Sequence, residues 1–319
     1  MKILAALKKL LLTFSRISFI LLIICSLLSS MGDQPYWLGL FSHFKFHLFL
    51  FTIPFLLFFT LVRKWIWMIL ALALLFLNSL PLVPYYVPAN IPDKVTPSIS
   101  ILSHNVKFTN EAYKTERNFI LEQDPDILVL LEFTPSWYDS MAIVWKQYPH
   151  RRVIARSDFF GGMLASKYPL EEPAARWFGP MDVPSITANV HHPLGDVHVI
   201  ACHPPSPPDT HDIHLRNLLM DSMSVYIQNQ DLPVIVAGDL NNTPFHPAFR
   251  SFIKSSGLRD ARKGFGYLPT WPKQLGLLKI PLDFFLVSDK IEVRDFEVHH
   301  RGFSDHDPIS GKFTLKPKF

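Results

Sequence analysis

Polar side chains that could bind a metal ion or move a proton stand at the ends of short apolar runs in the C-terminal part of the chain. Such positions often hold only caps and turns, but strand ends are also where a rigid scaffold aims side chains into a shared crevice. The residue types are restricted to Asp, Glu, Asn and His, which favours a catalytic site over a set of turns. The candidate residues are Asn105, Glu132, His203, Asp239, Asn241, Asp283, Asp305 and His306.

These residue types suit the metal-assisted cleavage of a phosphate ester. Mg²⁺ is the expected ion, and Mn²⁺ would use the same ligands, because hard divalent ions prefer carboxylates, water and substrate phosphate. Glu132 and Asp305 could supply carboxylates, with Asn105 nearby. Asp239 and Asn241 are two residues apart, so extended backbone would place both on one side. One could then orient an attacking water while the other contacts the phosphate. A histidine beside a carboxylate can stabilise developing charge or assist proton transfer.

The strands that must carry these side chains are predicted by short apolar runs bounded by charges or turn residues. Helical patterns over residues 111–123 and 216–228 interrupt the strands. Strands, hairpins and helices alternate irregularly, which favours layered α/β structure with mixed sheets over a doubly wound parallel sheet. The predicted strands cover residues 98–104, 127–131, 186–191, 196–202, 233–237, 282–287 and 309–315.

Residues 1–90 predict a membrane region. Three apolar runs, at about residues 10–31, 44–62 and 65–83, approach the ~20 residues that cross a bilayer core. Pro54 in the second run is compatible with a membrane helix. We expect the first run to be retained rather than cleaved as a signal peptide, because it is long and two further apolar runs follow it.

Basic residues predict the orientation of this region. Three lysines precede the first apolar run, Arg63 and Lys64 separate the second from the third, and the loop at 32–43 has no Lys or Arg. Positively charged loops stay in the cytoplasm, so three crossings would place everything after about residue 84 outside it. If the second and third runs formed one re-entrant hairpin, or if the first run did not insert, the opposite side would be expected.

Charge is divided unequally along the chain. Residues 1–90 carry seven of the 31 basic and one of the 27 acidic residues, which leaves the remainder with a net charge of −2. Because nonspecific duplex binding depends on neutralising phosphates, this balance argues against a broad grip on DNA. Prolines between residues 81 and 97 predict a stiff linker at 91–97. It separates the transmembrane region, 1–90, from a catalytic domain at 98–319.

Seven sequence blocks occur in one order along residues 98–315. They are Ser-His-Asn-Val at 103–106, Pro-Asp-Ile-Leu-Val-Leu-Leu-Glu at 125–132, Gly-Met-Leu-Ala-Ser-Lys-Tyr-Pro-Leu at 162–170, His-Val-Ile-Ala-Cys-His at 198–203, Val-Ala-Gly-Asp-Leu-Asn at 236–241, Leu-Asp-Phe-Phe-Leu-Val-Ser at 282–288 and Ser-Asp-His-Asp-Pro at 304–308. Each is weak alone, but together they resemble the endonuclease/exonuclease/phosphatase superfamily. The resemblance implies a four-layer α/β-sandwich, with two mixed β-sheets flanked by helices, and metal-dependent hydrolysis of a phosphoester bond.

The resemblance also implies a metal-ligand set. By motif, Glu132 looks like the principal metal ligand, supported by Asn105 and Asp305. The sequence departs from the family pattern just before this glutamate, where Leu-Leu stands in place of the Gln that many members carry. This departure concerns the surroundings of Glu132 rather than the ligand itself.

Five further residues take catalytic roles by the same resemblance. Asp239 resembles the residue that orients or activates the attacking water, and Asn241 resembles its phosphate-contacting neighbour. His306 looks like the catalytic histidine, positioned by Asp283, and His203 like a strand-end histidine that contacts the scissile phosphate. Family members differ over which residue is the general base, so that role stays open. The prolines that follow His203 are expected to shape one wall of the cleft and to affect substrate choice.

The sequence therefore predicts a membrane-anchored, divalent-metal-dependent phosphoesterase of the phosphodiesterase or nuclease type. We expect a multi-pass protein of the inner (cell) membrane with a periplasmic or otherwise extracytoplasmic catalytic domain. Its expected partners are the lipid bilayer and a phosphoester substrate, which could be a lipid headgroup, a small phosphodiester or a nucleic acid, without a stable nucleic-acid complex. The alternative is a catalytically silent domain that binds a phosphorylated ligand or an envelope partner. A pore or transporter is disfavoured, because the apolar runs lack an internal repeat and a buried charge pair.

Overall fold

The computed structural model describes residues 2–32, 36–89, 97–206 and 210–317. The predicted linker at 91–97 falls almost wholly outside these ranges, so its conformation stays a prediction. The chain divides into two compact units, Met1–Pro84 with Pro244–Pro247, and Tyr85–Thr243 with Ala248–Phe319. The division lies close to the predicted boundary at residue 90.

The first unit is helical. Apolar side chains of three helices form its core, where the rings of Phe19 and Phe59 pack edge to face with centroids 5.5 Å apart. Polar groups inside it also bond across helices, since Asn78 Nδ2 donates to Ser26 Oγ over 3.0 Å. The helices are α1 (Lys2–Leu28), α2 (Tyr36–Ser42), α3 (Lys45–Leu61) and α4 (Trp65–Ser79).

Within the described ranges, one helix, α1, is long and apolar enough to cross a membrane. The prediction of about three such helices is therefore wrong in number, because α3 has 17 residues and α4 has 15. At about 1.5 Å per residue these helices extend roughly 26 and 22 Å, less than a bilayer core of about 30 Å. The apolar sequence continues past both helices, but Arg63 adopts a left-handed φ of 55° after α3, and Pro81 follows the end of α4.

The second unit contains two six-stranded mixed sheets within the described ranges. Its helices are α6 (Tyr113–Gln123), α7 (Pro135–Ser140) and α8 (Thr210–Gln228), together with most of α9 (Pro247–Ser256) and the second half of α5 (Val83–Tyr86). Its strands are β1 (Ile99–Asn105), β2 (Ile127–Leu131), β3 (His150–Ile154), β4 (Gly162–Ser166), β5 (Leu170–Trp177), β6 (Pro184–His192), β7 (Gly195–Ala201), β8 (Val234–Asp239), β9 (Arg259–Asp260), β10 (Asp283–Val287), β11 (Ile291–Val298) and β12 (Ile309–Leu315). The strand orders are β11-β12-β1-β2-β4-β3 and β5-β6-β7-β8-β10-β9.

The packing of β2 shows why the unit is a sandwich. Every residue of this strand is buried, and successive side chains point to opposite faces of the sheet. Ile127, Val129 and Leu131 enter the core between the two sheets, whereas Leu128 and Leu130 join the core under α6 and α7. The second sheet has a matching outer core under α8 and α9. The predicted α/β-sandwich, two mixed sheets flanked by helices, is therefore confirmed.

Strand direction gathers the polar strand ends at one edge of each sheet. β1 runs parallel to β2, and β7 runs parallel to β8, so each pair ends on the same side. β12 is antiparallel to β1 and β10 is antiparallel to β8, so these strands begin where their neighbours end. Asp283 accordingly lies opposite Asp239 in the register. Candidate residues that follow one set of strands and precede the other are thus brought to common edges.

Gly238 lets the end of β8 approach the end of β7. A Cβ atom at this position would lie 2.0 Å from the carbonyl oxygen of Cys202, and the glycine has a φ of +149°. Both conditions exclude other residues, because L side chains rarely adopt this backbone conformation and a backbone oxygen cannot swing away. The close approach places the next residue of each segment, Asp239 and His203, side by side.

We expect Gly238→Ala to destabilise the chain by at least about 3 kcal/mol, because backbone clash adds to conformational strain. Thermal unfolding of the full chain, followed by tryptophan fluorescence, measures the change as a fall in Tm of about 2–4 °C per kcal/mol. Gly257→Ala is the matched control, since Gly257 also has a positive φ, +71°, but nothing within 4 Å of its Cβ position. Equal losses of Tm in the two variants would contradict the close-approach explanation.

Candidate active site

The amide of Asn105 connects carboxylates from the two sheets. Its Nδ2 atom donates to Oε1 of Glu132 over 2.8 Å and to Oδ2 of Asp239 over 3.3 Å. The orientation of the amide is fixed, because its Oδ1 atom accepts from the backbone N–H of Lys107 over 3.0 Å. Glu132 Oε2 accepts from the backbone N–H of Phe108 over 3.0 Å. Two buried carboxylates are thereby held around one neutral donor.

His306 and Asp283 form a buried pair. His306 Nδ1 donates to Asp283 Oδ2 over 2.9 Å, and its Nε2 lies 3.6 Å from Asp239 Oδ2. Burial lowers the pKa of His306, but the carboxylates of Asp283 and Asp239 outweigh that effect and raise the pKa to about 9. The imidazole is therefore protonated at neutral pH. Its Nε2–H remains available, because 3.6 Å is too long for a hydrogen bond to Asp239.

His203 lies on the other side of Asp239. Its Nδ1 bonds to the backbone carbonyl of Phe159 over 3.0 Å, which leaves Nε2 facing the site. Neutral Nε2 accepts from Asn241 Nδ2 over 3.1 Å, and Asn241 is held in this orientation by a second bond, to the carbonyl of Pro204. Protonated Nε2 would instead face Asp239 Oδ2 at 3.4 Å. Burial lowers the pKa of His203, but the Asp239 carboxylate more than offsets it and raises the pKa above its ordinary value.

Asp239 is the central acceptor of the site. Its Oδ1 accepts the backbone N–H of Asn241 over 2.8 Å, and its Oδ2 faces both imidazoles and Asn105. Burial would raise the pKa of Asp239, but the nearby histidines His306 and His203 lower it. Asp239 therefore stays ionised at neutral pH, with one oxygen fixed by the backbone and the other directed at the groups that face the site.

Asp305 stands apart from this network. Its carboxylate lies 3.3 Å from the Nζ of Lys107, and its side chain is 26% exposed, against 1% for Asp239. Ser304, the preceding residue, ties the same loop to β1 by donating its hydroxyl to the carbonyl of Asn105 over 2.7 Å. The structure thus joins seven of the eight predicted residues in one hydrogen-bonded or close-contact network and places Asp305 next to it, at a more exposed position.

The donor set fits a hard divalent cation. Among the described residues, one group of acidic and histidine side chains, Asp239, Asp283 and His306, brings its possible ligand atoms within 4.8 Å of one another. This group differs from the ligands expected from the sequence, Glu132, Asn105 and Asp305. Carboxylate oxygens dominate both groups, as Mg²⁺ and Mn²⁺ prefer. The identities of the metal and of its ligands stay predictions.

Three residues with a part in the site were missed from the sequence. Lys107 pairs with Asp305, Phe159 orients His203 through its backbone carbonyl, and Thr270 Oγ1 accepts the backbone N–H of Asp283 over 3.3 Å. A backbone carbonyl leaves no sequence signal. Thr270 did have a sequence signal, because it precedes Trp271 in a Pro-Thr-Trp-Pro segment. The centroid of that tryptophan ring lies 6.1 Å from the centroid of the His306 ring.

Comparison with known proteins gives one family match and several solved structures of similar fold. The family described as the Endonuclease/Exonuclease/phosphatase family matches residues 102–306. No curated protein sequence matches the chain significantly. Similar solved structures include the human Nocturnin catalytic domain with bound sulfate, 18% identical over 70% of this chain and 97% of that one, with a TM-score of 0.57. D. rerio TDP2 humanized by 14 mutations is 18% identical over 68% and 99% of the two chains, with a TM-score of 0.56. A family protein from Bacteroides thetaiotaomicron is 14% identical over 69% and 99%, with a TM-score of 0.56. At these identities the structures establish a shared fold.

We expect the ¹H–¹³C NMR titration of His306 in metal-free protein to give a pKa of about 9. Asp283→Asn should move that pKa downward, because the main attractive charge is lost while burial remains. The ion pair of His306 with Asp283 stabilises the folded chain fully when the pH is below 6.5, the ordinary pKa of histidine. This stabilisation is lost as the pH rises through the pKa of about 9 that His306 has in the folded chain. The control is Asp305→Asn, whose charge acts more weakly on His306 and whose effect should be smaller. An unchanged pKa in Asp283→Asn would rule out the pairing.

Proposed function

This chain belongs to the endonuclease/exonuclease/phosphatase family, and from that membership we propose that it is a divalent-metal-dependent phosphoesterase of the phosphodiesterase or nuclease type. The observation that carries the proposal is the arrangement around Asp239. An ionised carboxylate lies between two imidazoles, and one of these is kept protonated by a buried partner. Such a site offers an acceptor for water and donors for a phosphate group within one buried cluster.

Glu132 would hold the metal ion, with Asn105 and Asp305 in support and Asp239 close by. When bound, a divalent ion supplies Lewis-acid polarisation of a phosphate oxygen. Glu132 suits this role because, within the part of the chain that the structure describes, the hydrogen bonds to its carboxylate come from two neutral donors, the Asn105 amide and the backbone N–H of Phe108. Its negative charge is therefore left for a cation to neutralise.

Asp239 would orient the attacking water. Its lowered pKa keeps it an acceptor at neutral pH, and the backbone N–H of Asn241 fixes one oxygen so that the other holds a defined direction. His306 would donate from Nε2–H to a non-bridging phosphate oxygen, where charge develops in the transition state. Asp283 keeps that imidazole protonated and fixes the plane of its ring. Asn241 and His203 would contact the phosphate from the opposite side.

The net charge of the catalytic region and its proposed membrane anchor both bear on the substrate class. The net charge of −2 outside residues 1–90 argues against a broad grip on nucleic acid, because nonspecific binding depends on neutralising phosphates. We propose a lipid headgroup, a small phosphodiester or a scavenged nucleic acid as the substrate.

The first unit would anchor the protein in the inner (cell) membrane. Large apolar side chains are exposed along its three long helices, for example Leu10 on α1, Leu61 at the end of α3 and Ile66 on α4, at 67%, 82% and 74%. A bilayer would cover this surface, and thinning of the bilayer or snorkelling of flanking side chains would accommodate the short helices. We propose that α1 crosses the membrane and that α3 and α4 form a short hairpin beside it.

A re-entrant hairpin would not reverse the side of the catalytic region, contrary to the expectation from sequence, because one crossing and three crossings end on the same side. Lys2, Lys8 and Lys9, in the first turns of α1, would keep the amino terminus in the cytoplasm. One crossing by α1 then leads outside, and a hairpin returns the chain to the side from which it entered, whether it crosses fully or only partly. The catalytic region, 98–319, would therefore be periplasmic or otherwise extracytoplasmic.

Hydrolysis of bis-p-nitrophenyl phosphate by the full chain should require Mg²⁺ or Mn²⁺ and stop with EDTA. His306→Ala should lower kcat by about 10²–10³-fold, the usual loss when one donor to a developing negative charge is removed, and Glu132→Gln should raise the metal concentration needed for half-maximal rate. The matched control is His191→Ala, which removes a half-exposed histidine on β6 that pairs with Glu171 and Asp196. Plasmid, single-stranded DNA and a sphingomyelin-type lipid are screened in parallel to rank the substrate classes. Folded protein without turnover on any of these substrates would favour the silent binding domain.

Two reporter enzymes are fused in turn after Phe319, one that is active only outside the cytoplasm and one that is active only inside it. The first should be active and the second inactive. A second fusion, after Lys64 in the turn between α3 and α4, tests the hairpin and should report the cytoplasm if both helices cross. Cytoplasmic activity of the Phe319 fusion would overturn the topology while leaving the proposed chemistry intact.

A further inference from the structure

Two phenylalanine rings meet beside the catalytic network. The rings of Phe108 and Phe159 pack edge to face, with centroids 4.5 Å apart and planes inclined by 66°. Phe159 is 53% exposed, and Phe108 is partly buried. An edge-to-face pair leaves ring faces that the partner does not cover, and such faces suit a third flat group.

Each of these residues is bound through its backbone to a different side of the site. The N–H of Phe108 donates to Glu132 Oε2, and the carbonyl of Phe159 accepts from His203 Nδ1, both over 3.0 Å. The aromatic pair therefore bridges the predicted metal ligand and the predicted phosphate-contacting histidine. A group attached directly to a phosphate held between Glu132 and His203 would lie within reach of the rings.

The segment that carries Phe159 is held firmly. Arg156 binds both carboxylate oxygens of Asp158, and Oδ1 of that aspartate accepts the backbone N–H of Phe160 over 2.9 Å. A further clamp follows, because Gly161 approaches Phe133 so closely that a Cβ would lie 2.1 Å from the Phe133 carbonyl oxygen. The exposed ring thus sits on a rigid turn rather than on a free loop.

The exposed ring of Phe159 does not contribute the stabilisation that a buried phenylalanine gives the fold. Fully burying a Phe side chain is worth about 1.5–3 kcal/mol relative to leaving it exposed. The backbone that carries the ring is already held, so little backbone entropy is lost when a ligand arrives and more of the contact energy goes into affinity. The arrangement therefore favours binding over packing as the purpose of this ring.

We propose that Phe108 and Phe159 form an aromatic subsite that binds a flat aromatic substituent carried by the phosphate ester. The inference rests on the proposed phosphoesterase function and extends it to the substituent that the site selects. The two inclined rings offer both a face and an edge to a planar group, which gains stacking and edge contacts that a flexible alkyl chain does not. A nucleobase close to the phosphate and a simple aryl ester share this chemistry.

The test compares two diesters with the same leaving group. Bis-p-nitrophenyl phosphate and methyl p-nitrophenyl phosphate both release p-nitrophenolate, but the group left on the phosphate is aryl in one and methyl in the other. The full chain should show a higher ratio of kcat/KM for the aryl over the methyl diester than Phe159→Ala and Phe108→Ala do, by about 5-fold, the size expected of an aromatic contact. The ratio is the readout, because a change that a substitution makes to the catalytic site itself alters the rates of both diesters alike and cancels in the ratio.

Two further variants define the chemistry. Phe159→Leu keeps an apolar side chain of similar size and should lower the ratio nearly as much as Phe159→Ala; a ratio kept by leucine would overturn the requirement for an aromatic group. Val225→Ala removes an exposed apolar side chain on α8, 59% exposed, and should leave the ratio unchanged. A 3′,5′-dinucleotide compared with an abasic analogue then shows whether a nucleobase uses the same subsite.

A binding experiment separates failure of the subsite from failure of the proposed function. Calorimetry measures phenylphosphonate against methylphosphonate in the presence of Mg²⁺, without any need for turnover. Tighter binding of phenylphosphonate that is lost in Phe159→Ala supports the subsite even if no diester is hydrolysed. Turnover with the same aryl-to-methyl ratio in the full chain and in both alanine variants overturns the subsite and leaves the phosphoesterase function standing. Equal affinity for the two phosphonates in the full chain also overturns it.

Discussion

Buried negative charge where the two sheets meet is the constraint that the rest of the site satisfies. Glu132, Asp239 and Asp283 are each at most 9% exposed, and an ion in such a place loses several kcal/mol of hydration. Different neighbouring groups compensate each carboxylate for this loss. Asp283 has the imidazolium of His306, Asp239 lies among two imidazoles and an amide, and Glu132 receives only neutral donors. Among the described residues, the hydrogen bonds to the Glu132 carboxylate come from neutral groups, which supports the proposal that this residue would hold a cation.

Much of the fold and of the site could be predicted, because the relevant signals are local. The strands β2 and β12 occur at the predicted residues, since each is a short apolar run with clear boundaries. Polar residues at the ends of such runs meet in space because parallel neighbours end at one edge. The sequence therefore indicated which side chains gather, and the structure shows seven of them in contact. Their chemical roles rest on the family resemblance and stay predictions.

The features that were not predicted depend on backbone geometry or on partners far apart in sequence. β3 and β5 are largely exposed or half-buried, so they lack the apolar run that identifies an inner strand. The helices α3 and α4 end before their apolar runs do, because Arg63 and Pro81 terminate them. Lys107 finds Asp305 only through the meeting of β1 with the loop before β12. No pattern of residue types encodes such a contact within one segment of the chain.

The Asn105 amide bonds to a carboxylate of its own sheet at 2.8 Å and to one of the opposite sheet at 3.3 Å. Neither sheet contains a complete site, so the catalytic geometry exists only while the two sheets keep their relative offset. In a molten globule, strands and helices persist but the fixed packing between layers is lost. Catalytic competence would then disappear while the circular dichroism of the backbone was still nearly native. The arrangement of these side chains therefore depends on tertiary packing, and a partly unfolded chain that retains its secondary structure would lose the proposed phosphoesterase activity.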